Sequence, residues 1–516
     1  MRPTILHPVL IRSFGVAWLL ATTTFGVRVE ADERPEPIYF GVRVVDAETG
    51  RGVPLVELRS VNQVSHWTDS DGWVAIDEPA WNGRHAFFNI ASHGYETPAD
   101  GFGQRGVRLL VAPGTEQTIT LRRVNLGERL YRITGEGIYR DSVLLGKRSA
   151  DRNALLNGRV VGSDSTQCVE YRDKLHWFWG DTFNLSYALG NFHVPGAVST
   201  PPRLGGPSPS EGLDLEYYVD DEGFARPTCV MPGPGPTWIS GLCVVGEGEQ
   251  ARMFATYVKI RDGLSPYERG LAVFDDATNR FVRYAKLPLE QPFYPWGHPI
   301  DVATKSSRYI YFCLPFPWLR TQAEPAALGD PQRYESYTYA VPTDDASQWQ
   351  VLRDEAGRLD WKWRRAVPPL TRAIEEKLVD AGQLAASETS LRLRVLDGAP
   401  VLLHASSIAW SPYRNKWIMI VCEEMGTSYL GEIWYAESDA LEGPWENARK
   451  VVSHERYSFY NLKLHAVLAE EGGRFVYFEG TYTREFSGNP IATPRYDYNQ
   501  IMYRLDLSRL LPTESP

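Results

Sequence analysis

The sequence after residue 126 repeats one pattern five times: a short strand, a tight turn and a second strand rich in aromatic residues. The second strands are expected at 175–179, 253–257, 309–312, 417–420 and 475–478. The inner strands that precede them are expected at 165–171, 239–246, 299–304, 406–410 and 464–469. Such units, repeated about every 55 to 60 residues, are typical of propeller blades, whose radial closure protects strand edges. The repeat therefore predicts a five-bladed β-propeller.

One stretch, residues 346–400, interrupts this repeat. The apolar spacing of residues 370–384 predicts a helix inside it. A parallel α/β fold would need such a helix between most strands, and only this one is visible. We therefore treat residues 346–400 as an insertion in the propeller.

Residues 38–125 precede the propeller and show short alternating runs separated by turn signals. The pieces at 46–50 (DAETG), 68–72 (TDSDG) and 93–95 (HGY) resemble those of the carboxypeptidase-regulatory-like, transthyretin-type domain, where Asp and Gly form tight turns. The resemblance implies an accessory module without catalysis. The expected fold is all-β: a small β-sandwich at 38–125, followed by a five-bladed β-propeller at 126–512.

The first 31 residues have the pattern of a signal peptide. Arg2 and Arg12 precede an apolar run at 14–26, and small residues, Val29 and Ala31, lie three and one positions before a cut after Ala31. The apolar run is short for a membrane span. We expect an exported protein, periplasmic or extracellular, with no membrane span after signal cleavage.

Charge and cysteine content exclude two further classes. The net charge is -10 and no basic stripe offsets it, so nucleic acid is not an expected partner. The five cysteines include no CxxC pair, which argues against a zinc or redox motif. Four of them lie in apolar strand-like runs and are expected to be buried.

Residues 438–445 (SDALEGPW) are similar to the S-D-x-x-x-G-P-W turn of five-bladed propeller glycosidases. That group includes the family 43 arabinanases and xylosidases and the neoagarobiose hydrolases. Gly and Pro form the turn, and Trp packs between blades. Residues 179–182 (WGDT) and 496–505 also resemble exported bacterial proteins that pair the same two domains. The resemblance implies a glycoside hydrolase that acts on a poly- or oligosaccharide by inverting hydrolysis.

Candidate catalytic residues follow from the geometry of a propeller, since inner strands start and second strands end at one rim of its funnel. Glycoside hydrolysis needs two carboxyl groups there. The resemblance implies Asp164 as general base, Asp301 as the residue that orients and tunes the acid, and Glu423 or its neighbour Glu424 as general acid. The match departs from the family pattern, because the base would lie in an Asp-Ser pair instead of Asp-Pro, and the acid usually lies on an inner strand.

Other polar and aromatic residues near the rim are expected to bind substrate: Asp181, Trp238, His298, Lys463, His465, Glu479 and Tyr498. The family places a His at the position of His465, often beside a bound cation. Carboxylates and His at a funnel are compatible with Ca²⁺ in the central channel, although no contiguous ligand motif exists and no cofactor is certain. As structural alternatives, Asp181 could cap a turn, and Glu479 could pair with Arg484 or Arg495.

Two other functions stay open at this point. One is a non-catalytic propeller that binds carbohydrate or another surface. The other is a polysaccharide lyase that would use His298, His465 and Tyr498 to remove a proton beside a uronate carboxylate. A pair of carboxyl groups in the funnel favours hydrolysis, whereas an Asp164 whose bonds are all made within a turn favours binding.

Overall fold

The computed structural model describes residues 39–149, 152–290, 292–345, 348–395 and 399–510. The signal peptide predicted at 1–31 lies outside these ranges. Within them, no helix combines the length and apolar character needed to cross a membrane. The described chain is all-β, and a small β-sandwich precedes a five-bladed β-propeller.

Two four-stranded sheets form the sandwich. Its strands are β1 (Phe40–Asp46), β2 (Glu57–Ser60), β3 (Ser65–Trp67), β4 (Trp73–Ile76), β5 (Arg84–Ala91), β6 (Tyr95–Glu96), β7 (Gly106–Val111) and β8 (Glu116–Arg123). The strand orders are β4-β1-β8-β6 and β3-β2-β5-β7. Val42, Val44, Ile119 and Leu121 are buried between the sheets, because alternate residues of a strand share one face.

The segment after the sandwich supplies a strand to the last blade of the propeller. It contains β9 (Glu128–Arg132), α1 (Arg140–Leu144), α2 (Arg152–Leu155) and β10 (Val160–Ser163). Strand β9 pairs antiparallel with Ile501–Arg504 of the last blade. The first propeller strand in the sequence therefore closes the ring.

The next six strands form the first blade and a small sheet beside it. They are β11 (Gln167–Tyr171), β12 (Lys174–Phe178), β13 (Thr182–Asn184), β14 (Tyr187–Asn191), β15 (Gly196–Ser199) and β16 (Glu216–Tyr217). The blade has the order β11-β12-β15-β16, whereas the small sheet has the order β10-β13-β14. Trp177 and Trp179 pack with Tyr477 of the last blade.

The second and third blades follow. Blade two contains β17 (Thr237–Val245), β18 (Arg252–Arg261), β19 (Ser265–Asp275) and β20 (Arg280–Leu287). The third blade and the start of the insertion contain β21 (Ile300–Ala303), β22 (Arg308–Phe312), β23 (Leu319–Gln322), α3 (Pro325–Leu328), β24 (Glu335–Thr338), β25 (Ala340–Pro342), β26 (Trp349–Val351) and β27 (Lys362–Arg365). Strand β27 pairs with β24, so the insertion adds a fifth strand to blade three.

The rest of the insertion and the last two blades complete the chain. They contain α4 (Arg372–Asp380), β28 (Arg392–Leu393), β29 (Val401–Ser411), β30 (Lys416–Glu423), β31 (Glu432–Ser438), β32 (Glu446–Ser453), β33 (Ser458–Leu464), β34 (Phe475–Thr483) and β35 (Asn499–Asp506). Blade four runs from β28 to β32, and blade five has the order β33-β34-β35-β9. Helix α4 confirms the helical segment predicted within 370–384, and the Thr371 hydroxyl accepts from the Ile374 amide at its start.

Two strand boundaries in blade five differ from the expectation. The inner strand occupies Ser458–Leu464 instead of 464–469, and the second strand continues to Thr483 instead of ending at 478. Residues 466–468 form a short 3₁₀ turn. Thr481 and Thr483 extend the second strand, because β-branched side chains suit a pleated surface. Lys463 and His465 therefore lie at the end of the inner strand, and Glu479 lies in the middle of β34.

Candidate functional site

Two aspartates meet at the first blade. Asp164 lies just before β11 and Asp181 just after β12. The Asp181 amide donates to Asp164 Oδ1 over 2.9 Å, and the Gly180 amide donates to the Asp164 carbonyl over 2.8 Å. A Cβ at position 180 would lie 2.2 Å from Asp164 Oδ1, so this close approach requires glycine. The Trp-Gly-Asp turn thus brings the two carboxyl groups together.

Asp164 is surrounded by hydroxyl groups. Tyr460, from the inner strand of blade five, donates to Asp164 Oδ2 over 3.0 Å. Tyr498 and Ser165 also interact with this carboxyl group. Burial raises the pKa of Asp164, and the hydroxyl donors oppose that rise because they stabilise the charged form.

Blade five also fixes the backbone beside Asp164. Ser165 has a left-handed φ of 56°, which is uncommon for a residue with a side chain. The Asn461 amide donates to Ser165 Oγ over 2.6 Å, and Ser165 N donates to Thr481 Oγ1 over 3.0 Å. Contacts from two strands of the neighbouring blade therefore hold the turn that carries Asp164.

Asp181 has a strongly shifted pKa. Burial, followed by the charge of Asp164, raises its pKa to about 7, while a hydrogen bond from Trp238 Nε1 to Asp181 Oδ1 (2.7 Å) opposes the shift. The exposed Glu485 adds a smaller repulsion. A carboxyl group with a pKa of about 7 is protonated for about half of the time at pH 7.

Aromatic rings border the carboxyl pair. Phe183 packs edge-to-face on Tyr498 with ring centroids 5.0 Å apart, and Tyr460 packs in the same manner on Phe486, 5.7 Å away. Phe486 is exposed, and Trp238 is partly exposed. Aromatic faces combine apolar contact area with a defined orientation for a ligand ring. The site therefore joins paired carboxyl groups with surfaces on which a sugar ring can stack.

A second cluster of polar side chains consists of His298, Lys463, His465 and Glu479, and we call it the channel cluster. His465 Nε2 and Glu479 Oε1 are 2.8 Å apart, and the Thr166 hydroxyl donates to Glu479 Oε2 over 3.0 Å. Burial lowers the pKa of His465, of Lys463 and, most strongly, of His298. Four predicted substrate-binding residues thus come together as one cluster, drawn from blades three and five. The structural alternative in which Glu479 pairs with Arg484 or Arg495 is not what the structure shows, since those arginines pair with Asp497 and Glu136.

Asp301 and Glu423 have partners of their own. Asp301 forms an ion pair with Arg308, whose Nε lies 2.7 Å from Oδ1. Glu423 accepts from Trp434 Nε1 over 2.6 Å and lies 3.6 Å from Lys450 Nζ. None of these contacts involves Asp164 or Asp181, so the catalytic roles of Asp301 and Glu423 stay predictions.

The predicted cation has no evident site in the described part of the chain. There, no group of three or more His, Cys, Asp or Glu side chains is placed so that it could hold a metal ion. His465, the residue expected beside a cation, is paired with Glu479 instead. All five cysteines are free and buried.

Sequence reasoning placed Asp164, Asp181, Trp238 and Tyr498 near the funnel but missed two other members of the site. Tyr460 lies in β33, which was expected to begin at residue 464. Glu485 lies two residues after β34, much as Asp181 lies three residues after β12. A correct end for β34 would have pointed to Glu485, since the second strands end at the same rim.

No family model matches the chain, and no curated protein matches it by sequence. Several solved structures align with it weakly. An α-L-arabinofuranosidase from Fusarium graminearum in complex with an iminosugar inhibitor is 13% identical over 75% of this chain and 99% of that chain, with a TM-score of 0.36. An exo-β-1,3-galactanase from Phanerochaete chrysosporium with β-1,3-galactotriose is 9% identical over 68% of this chain and 62% of that chain, with a TM-score of 0.33. A thermostable family-43 glycoside hydrolase is 11% identical over 69% of this chain and 95% of that chain, with a TM-score of 0.31. At these values the likenesses carry no argument about function.

Trp238 offers a direct report on the Asp181 proton. With 5-fluorotryptophan incorporated, we expect one ¹⁹F resonance to shift with a midpoint near pH 7, because its indole N–H donates to the titrating carboxyl group. Trp238→Phe identifies the resonance, and Asp181→Asn should abolish its shift. The exposed Trp410 serves as the internal control. A Trp238 resonance that stays flat between about pH 5 and 9 would show that Asp181 has an ordinary pKa.

Proposed function

We propose that this chain is an exported glycoside hydrolase that acts on a poly- or oligosaccharide by inverting hydrolysis, with the sandwich as an accessory module. The observation that carries the proposal is the Asp164–Asp181 pair. Hydrolysis of a glycosidic bond needs one carboxyl group that keeps its proton and one that has lost it. The pKa of about 7 at Asp181 supports the first role, since a general acid is most effective when its pKa lies near the working pH.

In this mechanism Asp164 is the general base. It takes a proton from the water that attacks the anomeric carbon, while Asp181 gives its proton to the leaving oxygen and the glycosidic C–O bond breaks. The Tyr460 hydroxyl orients the base, and Trp238 Nε1 orients the acid. The resemblance of residues 438–445 to the propeller glycosidases supports the same reaction class.

A non-catalytic carbohydrate-binding propeller is the second candidate. One observation favours it: Asp164 already accepts a backbone amide and at least one phenolic hydroxyl, so its carboxyl group is well satisfied without substrate. The lyase alternative has less support. Burial and the Asp164 charge hold the pKa of Tyr498 far above its usual range, so that the phenol keeps its proton and is a poor base.

A reducing-sugar assay on soluble galactan, arabinan and xylan tests the proposal. We expect the wild-type protein to release sugar from at least one of them and Asp164→Asn to release almost none. Equal release by both proteins would remove Asp164 from the mechanism. Binding without release by the wild type would favour the non-catalytic propeller.

A further inference from the structure

The insertion forms a second concave surface. A groove of about 820 Å³ lies where residues 356–361 and 387–394 meet the third blade and the Gly443-Pro444-Trp445 turn of the fourth. Its volume is in the range of small-molecule pockets. None of its lining residues belongs to the Asp164–Asp181 site or to the channel cluster. We call it the insertion groove.

Aromatic rings form one continuous wall of the insertion groove. Phe316 stacks on Trp318 with centroids 4.5 Å apart, and Trp318 lies 5.0 Å from Trp361. Tyr337 stacks on Trp361, with ring centroids 5.1 Å apart. Trp361 and Tyr337 are partly exposed. The electron-rich faces of such rings pack well against the C–H groups of a ligand ring.

Polar groups without partners lie beside these rings. The Arg392 guanidinium is exposed and makes no hydrogen bond or ion pair with any described residue. Trp445 is only 7% exposed, yet its Nε1 has no hydrogen-bond partner within the described chain. An apolar ligand would take the Arg392 guanidinium out of water without giving it a hydrogen-bond partner, at a cost in free energy. A ligand that offers hydroxyl groups next to apolar ring faces fits this lining better.

Two acidic side chains of the groove are already engaged. Glu388 forms a two-contact ion pair with Arg353, and Glu442 accepts from Trp363 Nε1 over 2.9 Å. Among the described residues, two lining cations have no carboxylate partner: Arg394, which donates to the Ser387 carbonyl, and Arg392. Both the insertion and the Gly-Pro-Trp turn, which the hydrolytic site does not use, contribute to this surface.

We propose that the insertion groove is a second, non-catalytic binding site for a glycan chain. The inference rests on the proposed function only in taking carbohydrate as the ligand. A polysaccharide held at the groove stays at a high effective concentration around the protein.

Affinity electrophoresis in gels containing soluble galactan, arabinan or xylan tests the inference. All proteins carry Asp164→Asn, so that the polysaccharide is not degraded. We expect Arg392→Ala and Trp361→Ala to raise the dissociation constant about threefold to tenfold, the loss that follows from one ring or one hydrogen-bond contact. The matched controls are Arg59→Ala and Trp410→Ala, which alter exposed residues outside the groove.

Each result decides the inference. It is overturned if Arg392→Ala binds as tightly as its parent, or if none of the three polysaccharides retards the parent. Arg392 is exposed and has no partner among the described residues, so this variant remains decisive even where Trp361→Ala fails to fold. If the wild type hydrolyses none of the polysaccharides but binding still depends on Arg392, the proposed function fails and the insertion groove stands.

Discussion

Replacing Asp164 with Asn is expected to lower kcat for sugar release by about 10²–10⁴-fold, the usual contribution of a general base. Asn keeps the size of the side chain, and its Oδ1 can still accept from the Asp181 amide. Tyr460, which faces the other oxygen of Asp164, can turn its hydroxyl to accept from the Asn Nδ2, so the turn should remain intact. It cannot take a proton from water. KM should change little, since the lost interaction acts on the attacking water and not on the bound sugar.

Controls for this variant follow from the acids elsewhere on the blades. Asp439→Asn alters an exposed carboxylate that pairs with Lys416, and it should leave kcat unchanged. Asp301→Asn and Glu423→Gln decide between the two versions of the site. If either of them lowers kcat as strongly as Asp164→Asn, the family pattern identifies the catalytic acids better than the Asp164–Asp181 pair does.

The pH profile follows from the same two groups. Asp181 must be protonated to act as acid, so activity should fall as the pH rises through about 7. Asp164 must be charged to act as base, so activity should also fall at low pH, starting above the ordinary range of an Asp because burial raises its pKa. Asp181→Asn should lower kcat and remove the loss of activity at alkaline pH. A wild-type profile in which activity does not fall above about pH 7 would argue against Asp181 as the acid.

The sequence predicts the fold well because the blades repeat a local signal. Each second strand is a short aromatic run, which a chain can bury only in a sheet. All five runs can be recognised from neighbouring residues alone, without knowing which strands pair. Asp164 and Asp181 are predictable for the same reason, since a hairpin of one blade brings them together. Strand β9 is different, because its partner β35 lies more than 350 residues further along the chain.

The rest of the site depends on register, which local patterns fix poorly. Side chains alternate between faces of a strand, so a small error at a strand end changes which residues reach the rim. Expecting β33 too late hid Tyr460, and ending β34 too early placed Glu479 at the rim instead of Glu485. Asp301 and Glu423 lie at the expected strands, yet their carboxylates bind Arg308 and Trp434. Side-chain partners of this kind come from tertiary packing.

A buried cation, Arg129, is one of the links between β9 and the sandwich. Arg129 is 1% exposed, and its backbone pairs with Tyr503 in the last blade. Its guanidinium donates to the carbonyls of Pro54 and His93, each over 3.0 Å, and to Ser92 Oγ. Within the described residues, Arg129 forms no ion pair with a carboxylate. One side chain therefore joins the strand that closes the propeller to two loops of the sandwich.

Arg129→Met is expected to lower the free energy of unfolding by about 3–5 kcal/mol, the usual cost of breaking a buried polar network. Met fills much of the same volume, but the carbonyls of Pro54 and His93 lose this donor, and the carbonyl of Pro54 lies in a buried contact. Urea unfolding at pH 7 measures the change. The matched control is Arg122→Met in the sandwich, whose side chain is 67% exposed and pairs with Glu96; it should cost less than about 1 kcal/mol. Equal losses in the two variants would mean that Arg129 does not hold the sandwich to the propeller.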